Sequence, residues 1–174
     1  SDIDKDLWAE IQLAAQCGPA LADALAFKVN YMDLLFPGGS LHMVAPTYEF
    51  DVVTMFYNGC IEAGVRSLLK LTPPEKRITM LEVGAGVGAT AQSTLPVVQG
   101  RCDRYYFTDV SDAFLVKARD RFAKYDFIDY VLCNIDADPC LQGFAAHQCD
   151  AIAATNVLHA TPFIRNTLRN CNVL

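Results

Sequence analysis

A glycine-rich turn follows a short apolar run in the middle of the sequence, and its residue types could hold a nucleotide. The run Ile78 to Val83 is apolar and partly β-branched, as expected for a buried parallel strand, and the residues after Thr90 can be helical. Without a Cβ, the intervening glycines can adopt positive φ and let backbone N–H groups at a helix start approach a ligand. The candidate ligand-binding residues of the turn are Gly84, Gly86 and Gly88.

The carboxylate of Glu82 bears on which nucleotide the turn would bind. Gly84, Gly86 and Ala89 satisfy the G-x-G-x-x-G/A pattern of dinucleotide sites, so NAD is one candidate. Glu82 lies two residues before the first glycine, where a negative charge would repel a pyrophosphate but suits the sulfonium and ammonium groups of S-adenosylmethionine. The charge therefore favours S-adenosylmethionine. A plain tight turn, with Glu82 simply ending the strand, is the structural alternative.

Polar residues also end later predicted strands, where open α/β sheets bind their ligands. Asp109 lies 25 residues after Gly84, and its carboxylate can accept hydrogen bonds from two ribose hydroxyls. A capping or solvated role is the alternative for this acid. After the third strand, the amide of Asn134 or the carboxylate of Asp136 can bind the adenine amino group, and Ile135 can cover the ring.

Strands and helices alternate from Ile78 onward, which is typical of a parallel sheet covered on both faces and predicts an α/β fold. Ser111 is a predicted N-cap and Pro162 a predicted first-turn residue. The predicted strands are 78–83, 105–108, 130–133 and 151–155, and the predicted helices are 89–98, 111–124 and one beginning near Pro162.

The first 74 residues are helical in pattern and form a separate predicted subdomain, because the Pro73-Pro74 pair indicates a boundary before a core of residues 75–174. Within it we expect a helix over 4–27 that breaks at Gly18-Pro19, a short helix capped by Ser40, and a longer helix capped by Asp51. The predicted apolar face of the longer helix consists of Val53, Phe56, Cys60, Ala63 or Gly64, and Leu68.

Composition limits the possible partners. A chain of 174 residues with 52% hydrophobic residues can form a good core, and a net charge of −6 argues against a broad nucleic-acid footprint. The acidic N-terminus lacks the features of a signal peptide and no run of eighteen apolar residues occurs, so we expect a cytoplasmic protein without a membrane partner.

The seven cysteines form an odd number without a C-x-x-C pair, and we interpret them as reduced thiols in the core. Cys133, Cys140, His147 and Cys149 are the one arrangement weighed as a metal site. Their spacing differs from the close ligand pairs of zinc sites, so no metal is predicted. His42 and His147 are expected to be surface or packing residues.

The sequence resembles the S-adenosylmethionine-dependent C-methyltransferase domains of modular polyketide synthases over nearly its whole length. The most specific string is Asn156-Val157-Leu158-His159-Ala160-Thr161, which follows the fourth predicted strand. The other strings that carry the resemblance are Leu34 to Ser40, Phe56-Tyr57-Asn58, Leu81 to Thr90, Tyr106 to Ser111, and Gln142-Gly143-Phe144.

The resemblance implies a Rossmann-like class I methyltransferase core with an N-terminal helical lid. It also implies a β-ketoacyl substrate attached through phosphopantetheine to an acyl carrier protein, with other polyketide synthase domains as neighbours. His159 would deprotonate the carbon between ketone and thioester, Asn156 would share the catalytic site, and Tyr57 would contact S-adenosylmethionine. Two alternatives stay open beside the NAD-dependent one: O-methylation of a β-hydroxyl, and a structural remnant without catalysis.

The sequence departs from the family pattern at three places. His42 stands where relatives often carry Glu, and Asn134 stands where they carry Asp, which removes one charge near the adenine. Family members also continue past the equivalent of Leu174 into further C-terminal strands. We therefore expect a fragment, a split domain or a degenerate remnant, in which the strand over 151–155 is an exposed apolar edge.

Overall fold

The computed structural model describes residues 7–49 and 51–174, and the chain divides into two compact units, Ser1–Tyr57 and Asn58–Leu174. The boundary falls inside a long helix, earlier than the Pro73-Pro74 pair. The role of the first unit as a lid stays a prediction. Residues 4–6 of the first predicted helix lie outside the described residues.

Short helices make up the first unit. The predicted break at Gly18-Pro19 is confirmed, because a 3-10 turn over Gly18–Ala20 separates the first two helices. Ser40 is not an N-cap: its Oγ accepts a hydrogen bond from His42 N at 3.3 Å within a local turn, and the next helix begins only at Ala45. The helices are α1 (Trp8–Cys17), α2 (Leu21–Leu25), α3 (Tyr31–Leu35) and α4 (Ala45–Glu49).

Helix α5 (Val52–Leu71) begins as predicted, because Asp51 Oδ2 accepts a hydrogen bond from Thr54 N at 2.8 Å. The predicted apolar face was wrong apart from Leu68, since Val53 and Phe56 are exposed. Apolar residues occur around much of this helix, so helical spacing fitted more than one face. The face that packs toward the sheet is formed by Asn58, Ile61, Val65, Leu68 and Leu69.

Four parallel strands form the sheet, in the order β3-β2-β1-β4. Strand β1 has the predicted bounds, whereas β2 begins earlier than predicted because Cys102 and Arg104 already pair with Ile78 and Thr79 of β1. The strands are β1 (Ile78–Val83), β2 (Cys102–Asp109), β3 (Ile128–Leu132) and β4 (Ala151–Ala154).

Helices α6 (Ala89–Val98), α7 (Asp112–Arg121) and α8 (Ile164–Val173) follow β1, β2 and β4. Ser111 occupies the N-cap position of α7, but its side chain makes no capping hydrogen bond. Pro162 is not in the first turn of α8, because the chain is still extended at the N-cap, Phe163, where φ is −134° and ψ is 88°. Within residues 7–49 and 51–174, no helix has the length and apolar character needed to cross a bilayer, and the predicted cytoplasmic location stays a prediction.

The two faces of the sheet are buried in separate hydrophobic clusters, which confirms the α/β prediction of a covered parallel sheet. Met80, Tyr105 and Phe107 pack on one face with residues of α5, α6 and α7. Leu81 and Val83 point to the other face, where they pack with Ile135, Phe144 and Leu174. Since the strands are parallel, their carboxyl ends bring the segments that follow them to the same edge of the sheet.

Candidate functional site

The three glycines after β1 adopt left-handed backbone conformations, with φ of +60° at Gly84, +54° at Gly86 and +84° at Gly88. A Cβ on Gly84 would lie 2.3 Å from Val157 Cγ2, and one on Gly88 would lie 2.6 Å from Phe122 Cε2. A Cβ on Gly86 would meet Gly84 O at 3.9 Å, which is an ordinary contact distance. Gly84 and Gly88 therefore allow close packing, while Gly86 has room above it for a ligand.

Asp109 ends β2 and is fixed against the glycine turn. Its Oδ2 accepts a hydrogen bond from Gly86 N at 2.9 Å, and its Oδ1 accepts one from Ser111 N at the same distance. The residue is only 6% exposed. Each carboxylate oxygen can accept a second hydrogen bond. The geometry is compatible with two ribose hydroxyls, and that role stays a prediction.

The structure places Glu82 beneath α6 rather than open at the turn. Its side chain shares a face of β1 with Met80, is 2% exposed, and accepts a hydrogen bond from Tyr105 OH at 2.6 Å. Burial raises the pKa of this carboxyl to about 8, although the hydrogen bond from Tyr105 and one from the Ala91 backbone lower it. Burial therefore favours the neutral form of this carboxyl, and its contact with a cationic cofactor stays a prediction.

Glu82 belongs to a buried polar network that the sequence analysis missed. Tyr105 OH lies 3.1 Å from Thr94 Oγ1, which donates to Thr90 O at 3.0 Å. Thr90 Oγ1 in turn donates to Asn58 Oδ1 of α5 at 2.8 Å. The network ties the first turns of α6 to its neighbours, so it fixes the helix N-terminus toward which the glycine turn leads.

The loop after β3 contains the predicted adenine-binding residues. Asn134 is exposed, but its Oδ1 already accepts a hydrogen bond from Asp136 N at 3.0 Å. Ile135 is 4% exposed and packs in the cluster on the second face of the sheet, which leaves little of its surface for an adenine ring. Asp136 Oδ1 is buried and has no hydrogen-bond partner among the described residues, so this carboxylate is the stronger candidate for an amino group.

Gln142 holds this loop, and the sequence analysis assigned it no role. Its Oε1 accepts a hydrogen bond from Asn134 N at 2.8 Å, and its Nε2 donates to Asn134 O at 2.9 Å. The left-handed Gly143 that follows ends the 3-10 turn over Pro139–Gln142.

The segment after β4 carries the predicted catalytic residues. Asn156 adopts φ of +52° and is exposed, so the chain turns sharply just after the strand. His159 is also exposed, in a 3-10 turn over Leu158–Ala160. Because β4 pairs with β1 and Val157 packs against Gly84, this segment lies beside the glycine turn. His42 and His147 are exposed as well, which confirms them as surface residues.

Comparison with known proteins decides the family. A family profile described as a methyltransferase domain matches residues 81–174. The chain belongs to the methyltransferase domain family. The match contains the glycine turn, Asp109 and the segment after β4.

Relatives of this methyltransferase domain are polyketide synthases. The chain is 37% identical to polyketide synthase ThaG of Burkholderia thailandensis over 155 residues, which is 87% of the chain and 3% of ThaG. Its fold matches the crystal structure of the CurJ carbon methyltransferase with a TM-score of 0.94 and 33% identity, over 99% of the chain and 46% of that protein. These similarities confirm the resemblance and the class I methyltransferase fold.

A third similar structure, the trans-methyltransferase CalH, was solved in complex with SAH. It has a TM-score of 0.79 and 27% identity, over 97% of the chain and 46% of CalH. The family and this neighbour imply S-adenosylmethionine as the cofactor, as the sequence analysis expected. The chain spans less than half of these solved proteins and only a small part of the curated relatives.

Two further predictions concern residues outside the glycine turn. Tyr57 belongs to the first unit, is 57% exposed and packs edge-to-face with Phe56 at 5.6 Å between ring centroids, and its cofactor contact stays a prediction. Across the described part of the methyltransferase domain, no three His, Cys, Asp or Glu side chains could hold a metal ion. Burial raises the pKa of the Cys133 and Cys149 thiols to about 11, as expected for packing residues. The prediction of a core position was wrong for Cys60 and Cys140, which are exposed.

Proposed function

We propose that this methyltransferase domain transfers a methyl group from S-adenosylmethionine to the α-carbon of a β-ketoacyl thioester. The thioester would be presented by an acyl carrier protein of a polyketide synthase whose other domains are neighbours. The observation that carries the proposal is the packing of Val157 on Gly84, because it joins the His159 segment to the candidate cofactor turn. The likeness to the CurJ carbon methyltransferase supports carbon as the acceptor.

The residues at this edge of the sheet fit S-adenosylmethionine. Gly86 leaves room for a ligand at the turn, Asp109 offers two fixed carboxylate oxygens to a ribose, and Asp136 has an unused oxygen for an amino group. A dinucleotide would also fill the turn, but the family match argues for the methyl donor. When bound, S-adenosylmethionine supplies an electrophilic methyl group.

The chain's own contribution to the chemistry would come from His159 and Asn156. The α-carbon lies between a ketone and a thioester, so an exposed imidazole such as that of His159 can accept its proton. General-base assistance of this kind is typically worth about 10²–10⁴ in rate. Asn156 presents an exposed amide just after β4, and this amide can donate a hydrogen bond to a substrate oxygen as negative charge develops there.

The test uses purified protein, S-adenosylmethionine and two acyl carrier substrates, one with a β-ketoacyl group and one with a β-hydroxyacyl group. Mass spectrometry of the released acyl chain locates the new methyl group. We expect it on the α-carbon of the β-ketoacyl chain. A methyl group on the β-oxygen would instead establish O-methylation, and a folded protein that binds no S-adenosylmethionine would establish the structural remnant.

Two matched histidine variants separate the catalytic role from a structural one. His159→Asn should reduce methyl transfer by about 10²–10⁴ while cofactor affinity stays nearly unchanged, because the base acts on the acyl substrate. His147→Asn changes another exposed histidine, whose φ of +55° asparagine tolerates, and should leave both quantities unchanged. If His159→Asn weakened cofactor binding as much as it slowed transfer, the assignment of the base would be wrong.

A further inference from the structure

Helix α8 presents a buried face to the second side of the sheet. The face consists of Thr167, Asn170, Cys171 and Leu174, whose spacing is that of neighbours on one side of a helix. Thr167 is 0% exposed, and Leu174, which is 3% exposed, packs in the cluster that contains Val83 and Ile135. Apolar packing alone does not require a threonine and an asparagine at these positions, and both side chains make hydrogen bonds to other segments.

Thr167 fixes the turn that carries His159. Its hydroxyl is 2.7 Å from Thr161 Oγ1 and donates to it, and the Thr161 hydroxyl donates to Leu158 O at 2.8 Å. Leu158 directly precedes His159, and its carbonyl also accepts from Thr161 N at 3.3 Å. The two hydroxyls therefore close the 3-10 turn from the side of α8.

Asn170, one turn further along α8, fixes the loop after β3. Its Nδ2 donates to Ile135 O at 2.8 Å and to Ala137 O at 3.1 Å. Gln142 holds Asn134 of the same loop through both its backbone groups. Asp136, the carboxylate with an unused buried oxygen, lies between the two carbonyls that Asn170 holds.

We propose that Thr167 and Asn170 are positioning residues that set the catalytic turn and the cofactor loop at a fixed relation to each other through one rigid helix. Thr167 orients His159, and Asn170 holds the loop predicted to bind the adenine amino group. The roles of Thr167 and Asn170 in catalysis and cofactor binding rest on the proposed function, but their hydrogen bonds can be tested without turnover. It assigns a role to a helix that contributes no residue predicted to touch substrate or cofactor.

Separate effects on rate and on affinity follow from this arrangement. Thr167→Val keeps the shape and removes the hydroxyl, and it should lower kcat up to about 10²-fold through a misplaced base while the cofactor Kd changes less than about twofold. Thr167→Ser keeps the hydroxyl and should restore most of kcat. Asn170→Leu removes two hydrogen bonds and should raise the cofactor Kd about tenfold, with kcat at saturation nearly unchanged. Asn172→Leu makes the same replacement at an exposed position of α8 and is the control.

Hydrogen–deuterium exchange supplies a readout that needs neither substrate nor cofactor. Thr167→Val should speed exchange in residues 158–161 and leave 134–138 unchanged, and Asn170→Leu should do the reverse. Equal acceleration of both segments, or none, in folded variants would overturn the proposal, as would a Thr167→Val protein with normal kcat. If the unaltered protein does not methylate the acyl substrate, the proposed function fails, but the exchange experiment still decides the role of α8.

Discussion

Replacing the glycines of the turn one at a time should separate packing from ligand binding. Alanine at Gly84 or Gly86 must adopt φ of +60° or +54°, and the left-handed conformation costs about 1–2 kcal/mol for a residue with a Cβ. At Gly84 the new methyl would also lie 2.3 Å from Val157 Cγ2, and such overpacking typically costs about 1–3 kcal/mol more. Gly84→Ala should therefore lower the free energy of unfolding by about 2–5 kcal/mol, and Gly86→Ala by about 1–2 kcal/mol.

Urea denaturation followed by circular dichroism measures this difference directly. The double variant Gly84→Ala with Val157→Ala removes Val157 Cγ2 and leaves the Val157 Cβ, which would be 3.0 Å from the new methyl. It should therefore recover much of the overpacking cost, as a coupling energy of about 1–3 kcal/mol in a double-mutant cycle. The same Val157→Ala change beside Gly86→Ala should show no coupling, which makes it the matched control.

Gly84→Ala should lose more stability, whereas Gly86→Ala should lose more cofactor affinity. Gly86→Ala places a methyl where the turn has room for a ligand, so its Kd for S-adenosylmethionine should rise more than that of Gly84→Ala, although it is the more stable protein. Calorimetry under conditions where both variants are folded gives the two values. Equal loss of stability in the two variants, or no coupling between positions 84 and 157, would refute the packing argument.

Three other predictions concern polar residues of the site. Burial raises the pKa of Glu82 from 4.5 to about 8 in the folded chain, so the free energy of unfolding should fall as pH rises from 4.5 towards 8, by at most about 5 kcal/mol. Glu82→Gln should flatten this pH dependence in urea titrations. An unchanged slope in the variant would contradict the prediction. Asp109→Asn puts an amide against two backbone N–H groups and should weaken cofactor binding about tenfold in calorimetry. Gln142→Leu should speed amide exchange in residues 134–138, and unaltered exchange would show that Gln142 is dispensable there.

The sequence was sufficient to predict β1, the glycine turn and the position of Asp109 at the end of β2, because each has a strong local signal. An apolar β-branched run has few alternatives to a buried strand, and left-handed φ is what closely spaced glycines allow. The orientation of the Glu82 side chain could also have been predicted, since Ile78, Met80 and Glu82 are two residues apart along the strand and must share one face. The alternation predicts a buried Glu82 side chain, as the structure shows, whereas its contact with a cofactor stays a prediction.

The face of α5 and the anchors of the loop after β3 could not be predicted in the same way. Val53 and Phe56 fit a helical apolar stripe as well as Ile61 and Val65 do, and only the packed sheet selects between them. Asn170 and Gln142 act through side-chain amides on backbone carbonyls that lie 35 and 8 residues away, respectively. Such hydrogen bonds leave no periodic signal in a sequence, because they depend on where the chain returns.

The geometry of the candidate site is therefore a property of the sheet rather than of the glycine motif. Gly86 is held by Asp109 of β2, Gly84 is packed by Val157 after β4, and the first turn of α6 is tied to Asn58 of α5. These contacts need β1 at the centre, with β2 and β4 on its two sides, as the order β3-β2-β1-β4 provides. The same glycine pattern in another strand order would have neither the carboxylate nor the histidine segment beside it, which is why the motif alone left two cofactors open.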